Sequence, residues 1–334
     1  MRCKPGFKSP ALSAVFSTLF STALAMAWLP SAQAQTDRYP DHAITLVVGY
    51  PPGGSTDLTG RAVADQLSKK MGVPVIVENL GGAGGAIGAQ KVSRATPDGY
   101  TLLLGANNEI AISRLVSPAV KYSYKDFTPI GLVASQPMVL VTSPGSGIKT
   151  ADEFVKAVKA KPGKYSYGSS GVGTALHLSG EMAKQQAGLF MTHIPYRGVS
   201  PLTTDLYGGN IDFGVFVLSS ALPHLRSGKL VALGITEKKR SAIAPEIPPL
   251  ADNAALRNMD IGVWFALMAP PNMPEPIATK IRKALADSLL VPEFRKKLED
   301  TGSTVATGTV DMNKFLADET AKYQKIVDFA KIKE

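Results

Sequence analysis

The chain has 334 residues, 45% of them hydrophobic, and its 36 Lys and Arg outnumber 27 Asp and Glu to give a formal charge of +9. A single cysteine, Cys3, excludes an intrachain disulfide and a thiolate metal cluster. The positive balance suits anionic solutes, but there is no arginine-rich run or aromatic-basic alternation, so nucleic acid is not an expected partner.

Arg2, Lys4 and Lys8 precede a mostly apolar stretch from Ala11 to Leu29, and Ala32-Gln33-Ala34 has the small-x-small form of a signal-peptidase site. This predicts a signal peptide over 1–34, cleaved after Ala34, and a periplasmic product. Ser and Thr residues interrupt the apolar stretch and Pro30-Ser31 ends it, which argues against a retained anchor. Cys3 leaves with the signal. No later stretch has eighteen uninterrupted apolar residues, so a soluble monomer long enough for two domains is expected.

In chain order, residues 43–105 read as βαβαβ, the opening of a parallel sheet. Strand Ile44–Val48 runs into Gly49-Tyr50-Pro51-Pro52-Gly53-Gly54. Ser55, Thr56 or Asp57 then caps a helix with Leu58, Val63, Leu67 and Met71 on its apolar positions; Asp57 is read as the N-cap. A second short buried strand, Val73–Glu78, leads through the glycine-rich run 79–88 into a helical stretch, Ala89–Ala95. The third, Thr101–Gly105, ends at Asn107 and Asn108.

The run Tyr122–Pro129 marks a crossing into a second domain, which opens on two apolar runs, Ile130–Ala134 and Met138–Thr142. Thr150 to Glu153 reads as a capping box, with the helix ending near Lys161–Gly163. Strand Lys164–Gly168 leads through Ser169–Thr174 into a helix, and a further α/β alternation runs to Thr236. The charged and proline-rich segment Glu237–Leu256 carries the chain back. There, Ile261–Ala269 is a buried strand, and two helices carry apolar stripes, Ile277, Ile281, Leu285 and Leu289, then Leu316, Tyr323, Ile326 and Val327. The expected architecture is α/β, with domain 1 formed by 35–130 and 240–334 and domain 2 by 131–239, each a sheet flanked by helices.

Three glycine or hydroxyl turns each stand between a strand and a helix, where open α/β sheets bind their ligands. Gly53 and Gly54 permit positive φ and leave backbone amides uncovered. Amides at a helix start, with its positive dipole end, favour a carboxylate or phosphate.

Tyr39-Pro40, Ile44, the run Pro51–Asp57, the run Glu78–Gly85, the run Pro97–Thr101 and Tyr196-Arg197-Gly198, following a signal peptide in this order, resemble the Bug family, the extracytoplasmic solute receptors of tripartite tricarboxylate transporters. The resemblance covers essentially the whole mature chain. It implies a two-domain periplasmic-binding-protein (Venus flytrap) architecture that closes on a small organic carboxylate and delivers it to membrane permease subunits, with no cofactor and no catalysis. It further implies ligand contact by Gly53, Gly54, Ser55, Thr56 and Asp57 in the first turn and by Gly82, Ala83, Gly84 and Gly85 in the second. The third turn, with Ser169, Ser170, Gly173 and Thr174, would close over the ligand's other end. Tyr50 departs from the pattern, since an apolar aromatic, usually Phe, commonly precedes the proline pair, and its added phenol is expected either to touch the ligand or to pack.

Each candidate has a plainer reading beside it. An acid such as Asp57 beside an anion seat repels the anion unless its charge is already satisfied. Ser169, Ser170 and Thr174 suit either a helix cap or water-mediated carboxylate binding. Arg197 is a cation for a carboxylate or an ordinary surface arginine, and Asn107 meets the ligand or caps the next segment. His177 is expected to pack, and no metal spacing accompanies it. Two enzyme readings compete with the receptor. A nucleotide-dependent enzyme is disfavoured because the run Gly82–Ile87 breaks the dinucleotide spacing and no phosphate loop is present. A secreted hydrolase is disfavoured because Gly168–Val172 is not a nucleophile elbow.

Overall fold

Short apolar runs without polar alternation belong to strands covered on both faces, and three such runs pair in parallel at the start of the fold. The computed structural model describes Met1 and residues 38–332, so the expected signal peptide's basic and apolar regions and its cleavage site lie outside the described residues. Contacts divide the chain into a short unit, Met1–Tyr39, and a long one, Pro40–Glu334, which carries all the strands and helices described. β1 (Ile44–Val48) pairs in parallel with β2 (Val75–Asn79) and β3 (Thr101–Ala106). Helices α1 (Ser55–Met71) and α2 (Ala86–Ser93) make the connections. Leu46, Val47, Leu103 and Leu104 are wholly buried. β2 was expected to be buried, but it is the sheet's edge strand, which leaves Ile76 56% exposed.

After β3 comes a π-helical turn, Asn108–Ile112, which continues into the short α3 (Ser113–Val116). The two apolar runs that follow are one strand, β4 (Thr128–Thr142). Gln136 breaks the apolar pattern yet is fully buried, because its amide donates to Ser303 Oγ at 2.9 Å and accepts from Ser219 Oγ at 3.4 Å. A buried polar group with partners carries no unpaid desolvation, so the strand runs through.

The second sheet follows from α4 (Ala151–Ala160), β5 (Ser166–Ser169), α5 (Ala175–Ala187), β6 (Thr192–Pro195), α6 (Val199–Gly208), β7 (Phe213–Val217), α7 (Leu218–Arg226) and β8 (Val231–Ile235). Thr150 caps α4 by accepting from Glu153 N at 3.1 Å, but Glu153 Oε2 accepts from Lys149 N at 2.6 Å, so the reciprocal bond falls one residue before a standard capping box. β5 lies parallel to β6 and β7, and Phe154 packs edge-on against Phe213 with centroids 4.9 Å apart. The chain returns in β9 (Gly262–Ala269), antiparallel to β3, and closes with α8 (Glu275–Leu289), α9 (Pro292–Glu299), β10 (Thr304–Val305) and α10 (Met312–Ala330).

β4 belongs to both sheets. Thr128–Pro137 pairs with β9, whereas Met138–Thr142 pairs with β7 and β8. The return passage is tied to this point: Thr236 donates from its backbone to Met138 O at 2.9 Å and from its hydroxyl to Ile261 O at 2.6 Å, while Ile261 N donates to Thr236 O at 3.1 Å. The segment 237–256, expected to carry the chain back, is packed, with Ile247, Leu250 and Leu256 buried. Trp264 and Phe265 are core.

Candidate anion-binding site

The first turn is built around close backbone approaches. Gly49 lies so near the second turn that a Cβ there would stand 2.7 Å from Gly85 O. Gly53 adopts φ +91°, and Gly54 is the N-cap of α1, so the expectation of an Asp57 cap is corrected. Asp57 instead occupies the third helical position and reaches back to accept from Gly53 N at 2.9 Å. It also accepts from Arg61 Nε at 3.0 Å and Asn79 Nδ2 at 2.8 Å, and it is 1% exposed. Burial raises its carboxyl, but bonds from Arg61, Gly53 and Asn79 outweigh burial and hold it below the usual range. Its charge is therefore already spent on protein donors, as is the Gly53 amide. The amides of Ser55, Thr56 and Asp57 begin the helix and have no intrahelical acceptor, and Gly54 has no side chain to cap them.

In the second turn, Gly82, Ala83, Gly84 and Gly85 all take positive φ, at +131°, +48°, +61° and +94°. Ala83 is the one residue of the four with a Cβ, and the left-handed region costs it roughly 1–2 kcal/mol. At Gly85 a Cβ would stand 2.9 Å from Glu109 Oε2. Tyr50 joins the two turns, its hydroxyl 3.0 Å from Gly84 O and 2.7 Å from Glu109 Oε2. Asn79 Nδ2 donates to Tyr50 O at 2.9 Å. The phenol thus points into the protein and braces the turns. Burial lifts the Glu109 carboxyl to about 7 despite bonds from Tyr50 and Ala106 N.

The third turn is braced from beneath and from across. Thr174 caps α5 by accepting from His177 N and donates to Gly171 O at 2.9 Å, while Gly173 N donates to His177 Nδ1 at 3.1 Å. Ser169 Oγ donates to Gly171 O and lies 2.8 Å from His193 Nε2. Ser170 is half-buried. His177 and His193 stack with centroids 3.7 Å apart, and burial lowers them to about 4 and about 3, so both rings are neutral at pH 7. Packing of His177 matches expectation. Asn108 Oδ1 accepts from Ala175 N at 2.9 Å, and a Cβ on Gly173 would stand 2.7 Å from Val116 Cγ2. The third turn therefore meets the π-helical turn directly.

A cavity of about 230 Å³ lies between these parts, lined by Ala83 and Gly84 of the second turn, Gly173 and Thr174 of the third, and Asn108. The first-turn residues Gly53–Thr56 and the exposed Arg197 do not line it. Asn107, expected either to meet the ligand or to cap the next segment, is fully buried, and its amide nitrogen donates to Gly262 O at 3.0 Å and Tyr323 Oη at 2.9 Å. The asparagine at the cavity is Asn108. Glu109 was missed altogether; an acid directly behind two asparagines at a strand's carboxyl end was the available signal. Among the described residues no group of three His, Cys, Asp or Glu is placed to hold a metal. Larger hollows of about 690 and 750 Å³ lie away from the turns, one beside Ser143–Ser146 and one between β4 and α8.

Two sheets sharing one strand, with glycine-rich helix starts at their carboxyl ends, define a periplasmic solute-binding architecture. Residues 59–332 match the family described as "Tripartite tricarboxylate transporter family receptor". The chain is 32% identical over 300 residues to Protein BugT of Bordetella pertussis, covering 89% of this chain and 92% of that one. Among solved structures it is similar to "R. palustris Rpa4515 with adipate", at TM-score 0.79 and 29% identity, covering 88% of this chain and 99% of that one. It is also similar to "MatC (Rpa3494) from Rhodopseudomonas palustris with bound malate", at TM-score 0.75 and 29% identity, covering 86% and 100%. The chain belongs to the tripartite tricarboxylate transporter receptor family, a family of periplasmic solute-binding proteins that includes the Bug proteins. Among the described residues no helix is long and apolar enough to cross a membrane.

Proposed function

We propose that this protein is a non-catalytic receptor that captures a small organic carboxylate between two lobes, 35–130 with 240–334 and 131–239, and delivers it to the permease subunits of a tripartite transporter. One observation carries the reading: the first-turn amides of α1 are left without a cap beside a second turn held in left-handed form. Such donors favour a carboxylate without any cation. The relatives bound to adipate and malate support the ligand class. On this reading Ser55, Thr56 and the second turn hold one carboxylate, and Ser170 with Thr174 faces the other end. Arg197 is available to an outer carboxylate, and the working form is an exported monomer cleaved after Ala34.

Hydrolysis is disfavoured by the one serine-histidine pair at the turns. Ser169 is fully buried, its hydroxyl lies 3.0 Å from Gly171 O as well as 2.8 Å from His193 Nε2, and among the described residues no carboxylate bonds to His193. A thermal-shift panel of dicarboxylates against their diamides tests the proposal. A carboxylate at a hundredfold its Kd is expected to stabilise the protein by about 2.7 kcal/mol, and the matching diamide to have no effect. Equal stabilisation by diamides would remove the anion from the recognition.

A further inference from the structure

One hydrogen and two acceptors meet at Tyr50. The phenol oxygen lies 2.7 Å from Glu109 Oε2 and 3.0 Å from Gly84 O, and a phenol has a single hydrogen to give. Both contacts are hydrogen bonds at once only when Glu109 is protonated: its O–H donates to Tyr50 Oη, and Tyr50 donates to Gly84 O. With Glu109 ionised, the phenol hydrogen turns to the carboxylate and Gly84 O loses its donor. Asn108 Nδ2, at 3.4 Å from the phenol, does not supply Gly84. We infer that Glu109 is a positioning residue whose protonated form locks the second glycine turn through Tyr50, and whose ionisation releases that turn.

The surroundings fit a neutral carboxyl. Glu109 is 1% exposed, and its other oxygen accepts from Ala106 N at 2.6 Å. Among the described residues no neighbouring element provides a counter-charge. From the loop after α3, Tyr122 donates to the Glu109 backbone carbonyl at 2.9 Å, and Arg114 on α3 donates to Val120 O. On α2, Lys91 is paired with Glu78; on α10, Glu319 bonds to both Lys322 and Tyr323. A buried carboxylate without a cation is costly, so the group keeps its proton instead. The turn's backbone rests directly on this carboxyl, since no Cβ fits between Gly85 and Glu109.

Resting on the receptor reading, a second consequence follows. An ionised Glu109 under the seat repels an incoming carboxylate, so capture and uptake of one solvent proton by Glu109 are linked. Affinity should then fall by up to about tenfold per pH unit above the Glu109 midpoint.

Carbon-13 NMR of the ligand-free protein, labelled at glutamate carboxyls and compared with E109Q, tests the proton. The Glu109 signal is expected to titrate near 7; a midpoint in the ordinary range around 4.5 would overturn the inference. Amide exchange adds a readout that a purely structural role does not move. Protection at Gly84–Ala86 should be lost above the midpoint in wild type, beyond the intrinsic hydroxide effect, and kept in E109Q, whose amide donates to Tyr50 as the protonated acid does. Matching pH profiles in the two proteins would contradict the lock. If E109Q does not fold, Y50F assigns the carboxyl signal by removing its partner and is expected to lose the protection at every pH. Adipate and malate titrated into the same samples test the linkage separately: a Kd that rises with pH in wild type and stays flat in E109Q supports it, and a flat wild-type profile overturns it. Failure of both acids to bind counts against the receptor reading for them, while the NMR midpoint still decides the proton.

Discussion

Gly54→Asp is expected to abolish carboxylate capture while leaving the fold at least as stable as wild type. Gly54 is the N-cap of α1, with φ −79° and ψ 168°, a conformation open to any residue, and a Cβ there meets nothing closer than Pro51 O at 4.0 Å. An aspartate at that position accepts from the first-turn amides, a change that stabilises a helix by only about a few tenths of a kcal/mol relative to glycine. The same oxygens occupy the donors proposed for the ligand and add a like charge beside it. Loss of even one or two hydrogen bonds to a charged group, at roughly 1.5–3 kcal/mol each, lowers affinity about a hundredfold. Thermal denaturation and calorimetry with adipate or malate separate the two effects. Wild-type affinity in a stable Gly54→Asp protein would take the helix start out of the site.

The pH dependence of stability should expose the buried acids and histidines together. His177 and His193 are held neutral, with burial lowering them from 6.5 to about 4 and about 3. Their contribution is present above 6.5 and is lost as the pH falls toward those values, because the unfolded chain takes up protons that the folded one refuses. Glu109 and Glu237 run the other way, each raised by burial from 4.5 to about 7, so their contribution is present below 4.5 and lost as the pH rises to 7. Between 4.5 and 6.5 the two pairs oppose each other, and wild-type stability should be nearly flat before it drops below 4.5. E109Q removes one opposing group, so its stability should begin to fall near 6.5. The difference between E109Q and wild type should change by on the order of 3 kcal/mol between pH 7 and 4.5. Denaturant unfolding at several pH values checks this, and parallel curves would show that Glu109 titrates normally.

What sequence reading recovered was local. β1 begins and ends at Ile44 and Val48 as predicted, and the turn-helix units at Gly53, Gly82 and Thr174 stand where glycine and hydroxyl runs placed them, because turn chemistry is written in neighbouring residues. What it missed depends on partners far along the chain. Asn107 reads as a ligand contact or a cap until its amide nitrogen is seen to donate to Gly262 and Tyr323, and the apolar runs on either side of Gln136 read as separate until Ser303 satisfies its amide. Asp57 reads as a cap, but the glycine before the helix takes that place and the acid turns back to Gly53. Glu109 carries no periodic signal at all. Its importance comes from Tyr50, 59 residues earlier, and from a glycine turn resting on it.

Native mass spectrometry of the exported protein, purified without denaturation and then unfolded to release what it holds, tests the central claim most directly. A single small carboxylic acid should leave the protein, chemically identical to the acid supplied in the medium and absent from the Gly54→Asp protein. Release of a compound without a carboxylate, or conversion of the supplied acid into a product, would contradict a non-catalytic carboxylate receptor.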